Sequence, residues 1–107
     1  MNTLTDYELG WVVGILEGEG TFYARNDSNR PTELRVECTS IDSETVVKLQ
    51  LLLGGKIYGP YINRPKDRKW QFHKRQEVVE LVTLLRPRLC SRRQGQIDYM
   101  LEVAWSA

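Results

Sequence analysis

The chain has 107 residues, of which 41% are hydrophobic and 27% are charged, a composition typical of one globular domain spanning residues 1–107. No apolar run approaches the length of a membrane span, and two cysteines are too few for a disulfide framework and lack zinc-site spacing. These features argue against a membrane protein, a disulfide scaffold and a zinc finger. With no secretory leader in the sequence, we expect a cytoplasmic protein with reduced thiols at Cys38 and Cys90 and no membrane partner.

The net charge is only +1, but the charges are segregated along the chain. Residues 1–55 carry four basic and nine acidic side chains, whereas residues 56–107 carry eleven basic and five acidic ones. The two parts therefore have balances of −5 and +6. Such asymmetry is a hint of nucleic-acid contact, although two solvated faces of a small protein would give the same pattern.

In chain order, the first predicted element is a helix over residues 5–18, with Thr5 or Asp6 as its N-cap. Strands are predicted over residues 20–26 and 33–39, the second with strict alternation of apolar and polar side chains. A helix over 43–53 follows, capped by Asp42 and stopped by two glycines.

The second half, residues 56–105, loosely echoes residues 6–54 as an α/β unit, without a true sequence repeat. Strands are predicted over residues 56–61 and 69–74, and helices over 76–85 and 92–105, with Pro87 ending the first of these helices. The order is α-β-β-α-β-β-α-α, an α+β fold. Because the strands are joined as hairpins and bracketed by helices, we expect a four-stranded antiparallel sheet with helices on one face only.

The uncovered face of that sheet is predicted to be polar. Its side chains could read base edges in a major groove, which admits a β-ribbon, or could form a plain solvated surface. The predicted members of this face are Thr21, Tyr23, Arg25, Arg35, Glu37, Thr39, Lys69, Gln71 and His73.

The first helix is unusual because Gly10, Gly14 and Gly18 lie four residues apart, on one stripe of its surface. Each glycine costs about 1 kcal/mol relative to alanine inside a helix. Three on one line predict a helix whose backbone comes very close to something else. Two carboxylates, Glu17 and Glu19, follow where the helix is predicted to end.

The segment V-V-G-I-L-E-G-E-G, residues 12–20, resembles the signature of the LAGLIDADG homing endonucleases. The resemblance continues in T-S-I-D-S-E-T-V-V-K-L-Q-L-L-L-G-G-K-I-Y, residues 39–58, and in L-L-R-P-R-L-C-S-R-R-Q-G-Q-I, residues 84–97. It covers the chain from about residue 7 to residue 104. Motif, element order and C-terminal region together make the match more specific than the nine motif residues alone.

The resemblance implies a homodimer in which two motif helices pack across a two-fold axis and paired saddle-shaped sheets straddle double-stranded DNA. Symmetry would then let a short chain recognise a long pseudo-palindromic site. The residues expected at the dimer interface are Gly10, Trp11, Val13, Gly14, Glu17 and Gly18.

The resemblance also implies hydrolysis of phosphodiester bonds with Mg²⁺ or another divalent cation, and no small-molecule cofactor. Glu19 occupies the position of the family's metal-binding acid, and the backbone carbonyl of Gly18 that of a further ligand. Mg²⁺ prefers such oxygen ligands. Glu17 lies about 200° around the helix from Glu19, so both cannot serve one metal, and we expect a structural or second-sphere role for Glu17.

Three further residues fall at positions expected near the reaction. Arg92 occupies the place of the family's basic residue near the scissile phosphate, and Arg93 could substitute for it. Cations are disfavoured at the start of a helix, so an external anion is a natural partner for these arginines. Ser40 occupies the position of a water-positioning Gln, although its side chain is shorter.

The basic loop between the last two strands adds Arg64, Lys66 and Arg68 to the predicted DNA contacts. Two other functions remain open at this stage. One is a nucleic-acid-binding protein derived from the same family that has lost cleavage, such as a maturase or regulator. The other is a small protein-interaction domain, which the basic loop disfavours.

Overall fold

The computed structural model of the chain describes residues 3–60 and 67–106. Over these residues the elements are α1 (Asp6–Glu19), β1 (Gly20–Arg25), β2 (Glu33–Ser40), α2 (Ser43–Leu53), β3 (Lys56–Tyr58), β4 (Arg68–Phe72), α3 (Arg75–Leu85) and α4 (Ser91–Ser106). A short 3-10 helix, Arg86–Arg88, precedes α4. The predicted element order and the α+β class are confirmed. None of the described helices is both long and apolar enough to cross a membrane.

The sheet has the strand order β1-β2-β4-β3, and each neighbouring pair is antiparallel. Phe22 pairs with Val36, Val36 pairs with Phe72, and Ile57 pairs with Trp70. Because paired residues point to the same face, these side chains make one side of the sheet apolar. All four helices contact strands, and the core lies between them and this apolar side.

The opposite face is polar, as the alternation predicts. Its central row runs across all four strands through Thr21, Glu37, Gln71 and Lys56. A second row joins Thr39, Lys69 and Tyr58, and Tyr23 pairs with Arg35. The predicted face residues of β1, β2 and β4 are therefore brought onto one surface.

β1 ends one residue earlier than predicted, at Arg25, and β3 and β4 are shortened further. β3 stops at Tyr58, because Gly59 adopts a φ of +105° that breaks the extended backbone. β4 stops at Phe72, because Lys74 is already the N-cap of α3, so His73 is an exposed residue just beyond the strand.

The turn between α2 and β3 is fixed by close packing against β4. The indole N–H of Trp70 donates a hydrogen bond to the Gly54 carbonyl at 2.8 Å, and both large rings, Trp70 and Phe72, are buried. Gly55 has a φ of +92°, and a Cβ there would lie 2.8 Å from Phe72 Cδ1 and 2.9 Å from the Gln71 carbonyl oxygen. Only glycine satisfies this position.

Replacing Gly55 by Ala is therefore expected to destabilise the fold by about 1–3 kcal/mol. Gly95 is the matched control, because it lies in α4 with nothing within 4 Å of an added Cβ. Gly95→Ala should stabilise the protein by about 0.5–1 kcal/mol through helix propensity. Urea denaturation measures both. Shifts of the midpoint in the same direction for the two variants would contradict this account of the turn.

Candidate nucleic-acid interface and acidic site

Helix α1 has one side buried against the core and one side exposed to solvent. Val12 and Leu16 are completely buried against the core. Gly14 lies two residues from each of them, about 200° around the helix, and is exposed, as are Gly10 and Gly18. A Cβ added at any of these three glycines would meet nothing within 4 Å. Nothing in the described part of the chain therefore requires glycine there.

The residues that flank this glycine side are held by the same chain. Trp11 and Val13 are half-buried and pack against the core. The Lys48 ammonium lies 4.4 Å from the Trp11 ring centroid and 5.7 Å from that of Tyr7. Five of the predicted interface residues thus form a glycine stripe with apolar side chains beside it, whereas the carboxylate of the sixth, Glu17, is engaged within the chain by Cys90 and Arg93.

The end of α1 runs directly into β1 without a loop. The Gly20 N–H donates to the Leu16 carbonyl, and a Cβ at Gly20 would lie 2.5 Å from that oxygen. The last glycine of the motif therefore permits a tight helix-to-strand junction. Glu19, the last residue of α1, is exposed at this junction. Burial raises the pKa of the Cys38 thiol to about 11, and the nearby charge of Glu19 adds to the rise.

Glu17 ties this junction to α4. One carboxylate oxygen accepts a hydrogen bond from the Cys90 backbone N–H at 2.7 Å, and the other accepts from Cys90 Sγ at 3.1 Å. These hydrogen bonds, with the charges of Arg93 and Arg92, lower the pKa of Glu17. Cys90 immediately precedes α4, so Glu17 places a negative charge at the positive end of that helix.

Arg93 completes the tie from the other side. Its Nε and Nη2 donate to the Glu17 carbonyl oxygen at 3.2 and 3.1 Å, and its Nη1 donates to Gln96 Oε1 at 3.1 Å. The residue is only 6% exposed, and its guanidinium lies 5.4 Å from the Phe22 ring centroid.

The structure therefore corrects the prediction that Arg93 contacts DNA. Its partners are internal, and the anion expected near the two arginines is supplied by Glu17 within the same chain. The burial of Arg93 could have been predicted from its spacing in the sequence. Arg93 lies four residues before Ile97 and seven before Met100, which places it on the buried stripe of α4.

The other two predicted catalytic residues are less engaged with the junction. Arg92 is exposed in the first turn of α4, and its charge contributes to the lowered pKa of Glu17. Ser40 lies on the helix-covered side of the sheet, and its Oγ accepts a hydrogen bond from the Asp42 N–H at 3.0 Å, which organises the turn into α2. No described contact joins either residue to Glu19, so their catalytic roles stay predictions.

The polar face carries acids as well as bases, and each acid is paired. Glu33 lies 3.1 Å from Arg25 and 3.2 Å from Arg35. Glu37 accepts a hydrogen bond from the Gln71 amide at 3.0 Å and lies 3.5 Å from Lys69. This pairing offsets the repulsion that bare carboxylates would exert on a phosphate backbone.

Several residues differ from their predicted place on this face. Arg68 pairs with Ser40, so alternation puts it on the helix-covered side at the start of β4, away from Lys69. Arg64 and Lys66 lie outside the described residues. Glu33, Lys56 and Tyr58 were not predicted as site residues, although alternation along their strands places them with the others.

Solved structures with this arrangement include DNA complexes. The chain is similar to the archaeal intron-encoded homing endonuclease I-Vdi141I complexed with DNA, at 16% identity and a TM-score of 0.74 over 92% of this chain and 67% of that one. It is also similar to I-SmaMI, a LAGLIDADG homing endonuclease, bound to uncleaved DNA with calcium ions, at 15% identity and a TM-score of 0.74. This chain has the LAGLIDADG homing endonuclease fold.

A third structure of this fold is I-CvuI bound to uncleaved DNA with 2 mM Mg, at 12% identity and a TM-score of 0.74 over 91% of this chain. The match covers 66% of the I-CvuI chain. For I-SmaMI it covers 97% of this chain but only 38% of the I-SmaMI chain. No family model matches the sequence. No curated protein matches it either.

The donor atoms at the α1–β1 junction suit a hard cation. Glu19 offers a carboxylate and Gly18 a backbone carbonyl, both at exposed residues. Such oxygens fit Mg²⁺ or Ca²⁺, and Mg²⁺ usually keeps several waters and takes only one or two carboxylates. Within residues 3–60 and 67–106, no three His, Cys, Asp or Glu side chains group to hold a metal ion.

The tie between α1 and α4 predicts a pH dependence of stability. Glu17 has a lowered pKa, so its contribution is present above its ordinary value of 4.5 and is lost as the pH falls through the folded-state pKa. Glu17→Gln keeps an acceptor but not the charge. We expect a lower Tm than wild type at pH 7 and a difference that shrinks below pH 4.5.

Thermal unfolding across that range measures the effect, with Glu102→Gln on the exposed side of α4 as the control. A Tm difference for Glu17→Gln that stays constant with pH would contradict the assigned role of the carboxylate.

Proposed function

We propose that the chain is a site-specific endonuclease of double-stranded DNA that acts as a homodimer with Mg²⁺ or another divalent cation. The observation that carries the proposal is the joint presence of the fold, the polar sheet face and an exposed acid at the end of α1. The fold alone does not define an activity, so each part of the proposal is supported separately below.

The polar face supports DNA as the partner. It presents hydrogen-bonding side chains from neighbouring antiparallel strands on one surface, and its acids are paired with bases. A two-stranded β-ribbon fits the major groove, where each base pair has a distinct pattern of donors and acceptors. The similar structures I-Vdi141I and I-SmaMI are themselves bound to DNA.

The glycine side of α1 supports a second copy as the other partner. Three glycines on a solvent-facing stripe cost about 1 kcal/mol each relative to alanine, and open space surrounds them in the single chain. Small residues allow two helix backbones to approach closely. Two-fold pairing along this stripe would bring two exposed Glu19 residues near the same axis.

Glu19 supports cleavage. With the Gly18 carbonyl it would hold one divalent cation, which, when bound, activates water and neutralises charge on the phosphate. The residues of this chain do the rest. The α1–β1 junction fixes where Glu19 is displayed, the Glu17–Arg93 tie immobilises that junction, and the polar face positions the duplex.

Glu19→Gln is expected to abolish cleavage while leaving DNA binding within about twofold, because the amide removes the anionic ligand and keeps the shape. A randomised duplex library with Mg²⁺ measures cleavage, and a gel shift with the same library measures binding. Glu102→Gln is the control, because it removes an acid from an exposed helix position elsewhere.

Cleavage by Glu19→Gln at the wild-type rate would refute the assigned acid. Binding without any cleavage by the wild-type chain would favour the alternative function, a nucleic-acid-binding protein of this fold that has lost nuclease activity.

Gly14→Leu is expected to convert a dimer to a folded monomer, because the single chain has room for the side chain and a closely packed partner helix does not. Sedimentation velocity gives the oligomeric state. Gly95→Leu is the matched control, since Gly95 is an equally open glycine on α4. A Gly14→Leu variant that sediments as the wild type does would contradict pairing through this stripe.

A further inference from the structure

Arg35 stands on the polar face with its guanidinium held in place. It lies 4.1 Å from the Tyr23 ring centroid, and its Nε lies 3.2 Å from Glu33 Oε1. Within the described residues the Arg35 side chain makes no hydrogen bond, either from its Nη atoms or from its buried Nε, which is only ion-paired with Glu33. The stack and the ion pair therefore orient the guanidinium, while its outer edge keeps its donors for another partner.

Glu37, two residues further along β2, is fixed in a similar way. The hydrogen bond from Gln71 and the ion pair with Lys69 both go to Oε2, at 3.0 and 3.5 Å. Oε1 accepts no hydrogen bond within the described residues, and the Glu37 side chain is 16% exposed. The side chain is thus a fixed acceptor at the centre of the face, in the row that crosses all four strands.

The Nη atoms of the neighbouring Arg25, in contrast, already have partners within the chain. Its Nη1 pairs with Glu33 and its Nη2 donates to the Pro31 carbonyl, so its outer edge is occupied by its own chain. Four charged residues lie on this face of β1 and β2, namely Arg25, Glu33, Arg35 and Glu37. Of these, Arg35 and Glu37 combine a fixed orientation with unused hydrogen-bonding capacity.

We propose that Arg35 and Glu37 are specificity-determining residues that read a guanine and a cytosine two base pairs apart in each half-site. The inference rests on the proposed DNA-binding function and adds the base content to it. Arginine donates to guanine O6 and N7 through a two-pronged contact, and a glutamate accepts from the cytosine amino group.

The spacing follows from strand geometry. Residues i and i+2 of a strand lie about 6.6–6.8 Å apart on the same face. Successive base pairs lie about 3.4 Å apart along the duplex axis. A strand whose direction is close to that of the duplex axis would therefore advance about two base pairs between Arg35 and Glu37.

The test is selection of binders from a duplex library with a randomised central segment, in EDTA so that no cation-dependent cleavage consumes the DNA. The wild-type motif should contain a guanine and a cytosine two positions apart. Arg35→Lys keeps the charge but loses the two-pronged contact, so its guanine preference should fall about tenfold or more. Glu37→Gln should lose the cytosine preference in favour of adenine, which glutamine reads.

Two controls separate base reading from general damage. Arg88→Lys and Glu80→Gln make the same exchanges at exposed positions outside the sheet and should leave the wild-type motif unchanged. All other columns of the motif should survive in both test variants. If Arg35→Lys does not fold, the Glu37→Gln variant still tests the assignment at the cytosine position of the motif.

Unchanged motifs in both test variants would overturn the assignment while leaving the proposed function intact. Affected columns that are not two base pairs apart, or an equal loss of every column, would also overturn it. A wild-type chain that enriches no motif at all would overturn the assignment together with the site-specific function on which it rests.

Discussion

The structure depends on how the end of α1 is held. Arg93 places a buried guanidinium against the Glu17 carbonyl, and the Glu17 carboxylate receives the N–H that precedes α4. Gly20 lets the chain enter β1 with no loop between helix and strand. One helix terminus is thereby fixed to the last helix and to the edge strand of the sheet at once. A side chain displayed at that terminus, as Glu19 is, has a defined position relative to the polar face.

The same chain leaves two surfaces that its own core does not explain. The glycine side of α1 has open space where side chains would cost nothing sterically and would improve helix propensity. The polar face holds its acids in ion pairs and stacks an arginine on a tyrosine, although a merely solvated sheet would need neither. The proposed nuclease dimer on DNA would account for both surfaces, since one would take the second copy and the other the duplex.

Much of this fold follows from the sequence, because alternation in residues 33–39 and helical spacing around Val46, Leu49 and Leu53 are local signals. The strand order was not predicted, because it depends on long-range pairing between β2 and β4. At the site, the motif predicts the glycine stripe and Glu19, and the structure places both at exposed positions, while their roles in pairing and metal binding stay predictions. The DNA contact predicted for Arg93 is wrong. Its helical spacing indicates a buried position, but its hydrogen-bond partner there, the Glu17 carbonyl, is distant in sequence and is known only from the structure.

The most direct measurement is a crystal structure of the chain with a duplex selected from the randomised library and Ca²⁺. The account predicts two copies on one duplex, with α1 helices in contact at Gly10 and Gly14 and both Glu19 carboxylates directed at the DNA near the two-fold axis. A single copy on the duplex, with its glycine stripe open and Glu19 turned to solvent away from the DNA, would contradict it.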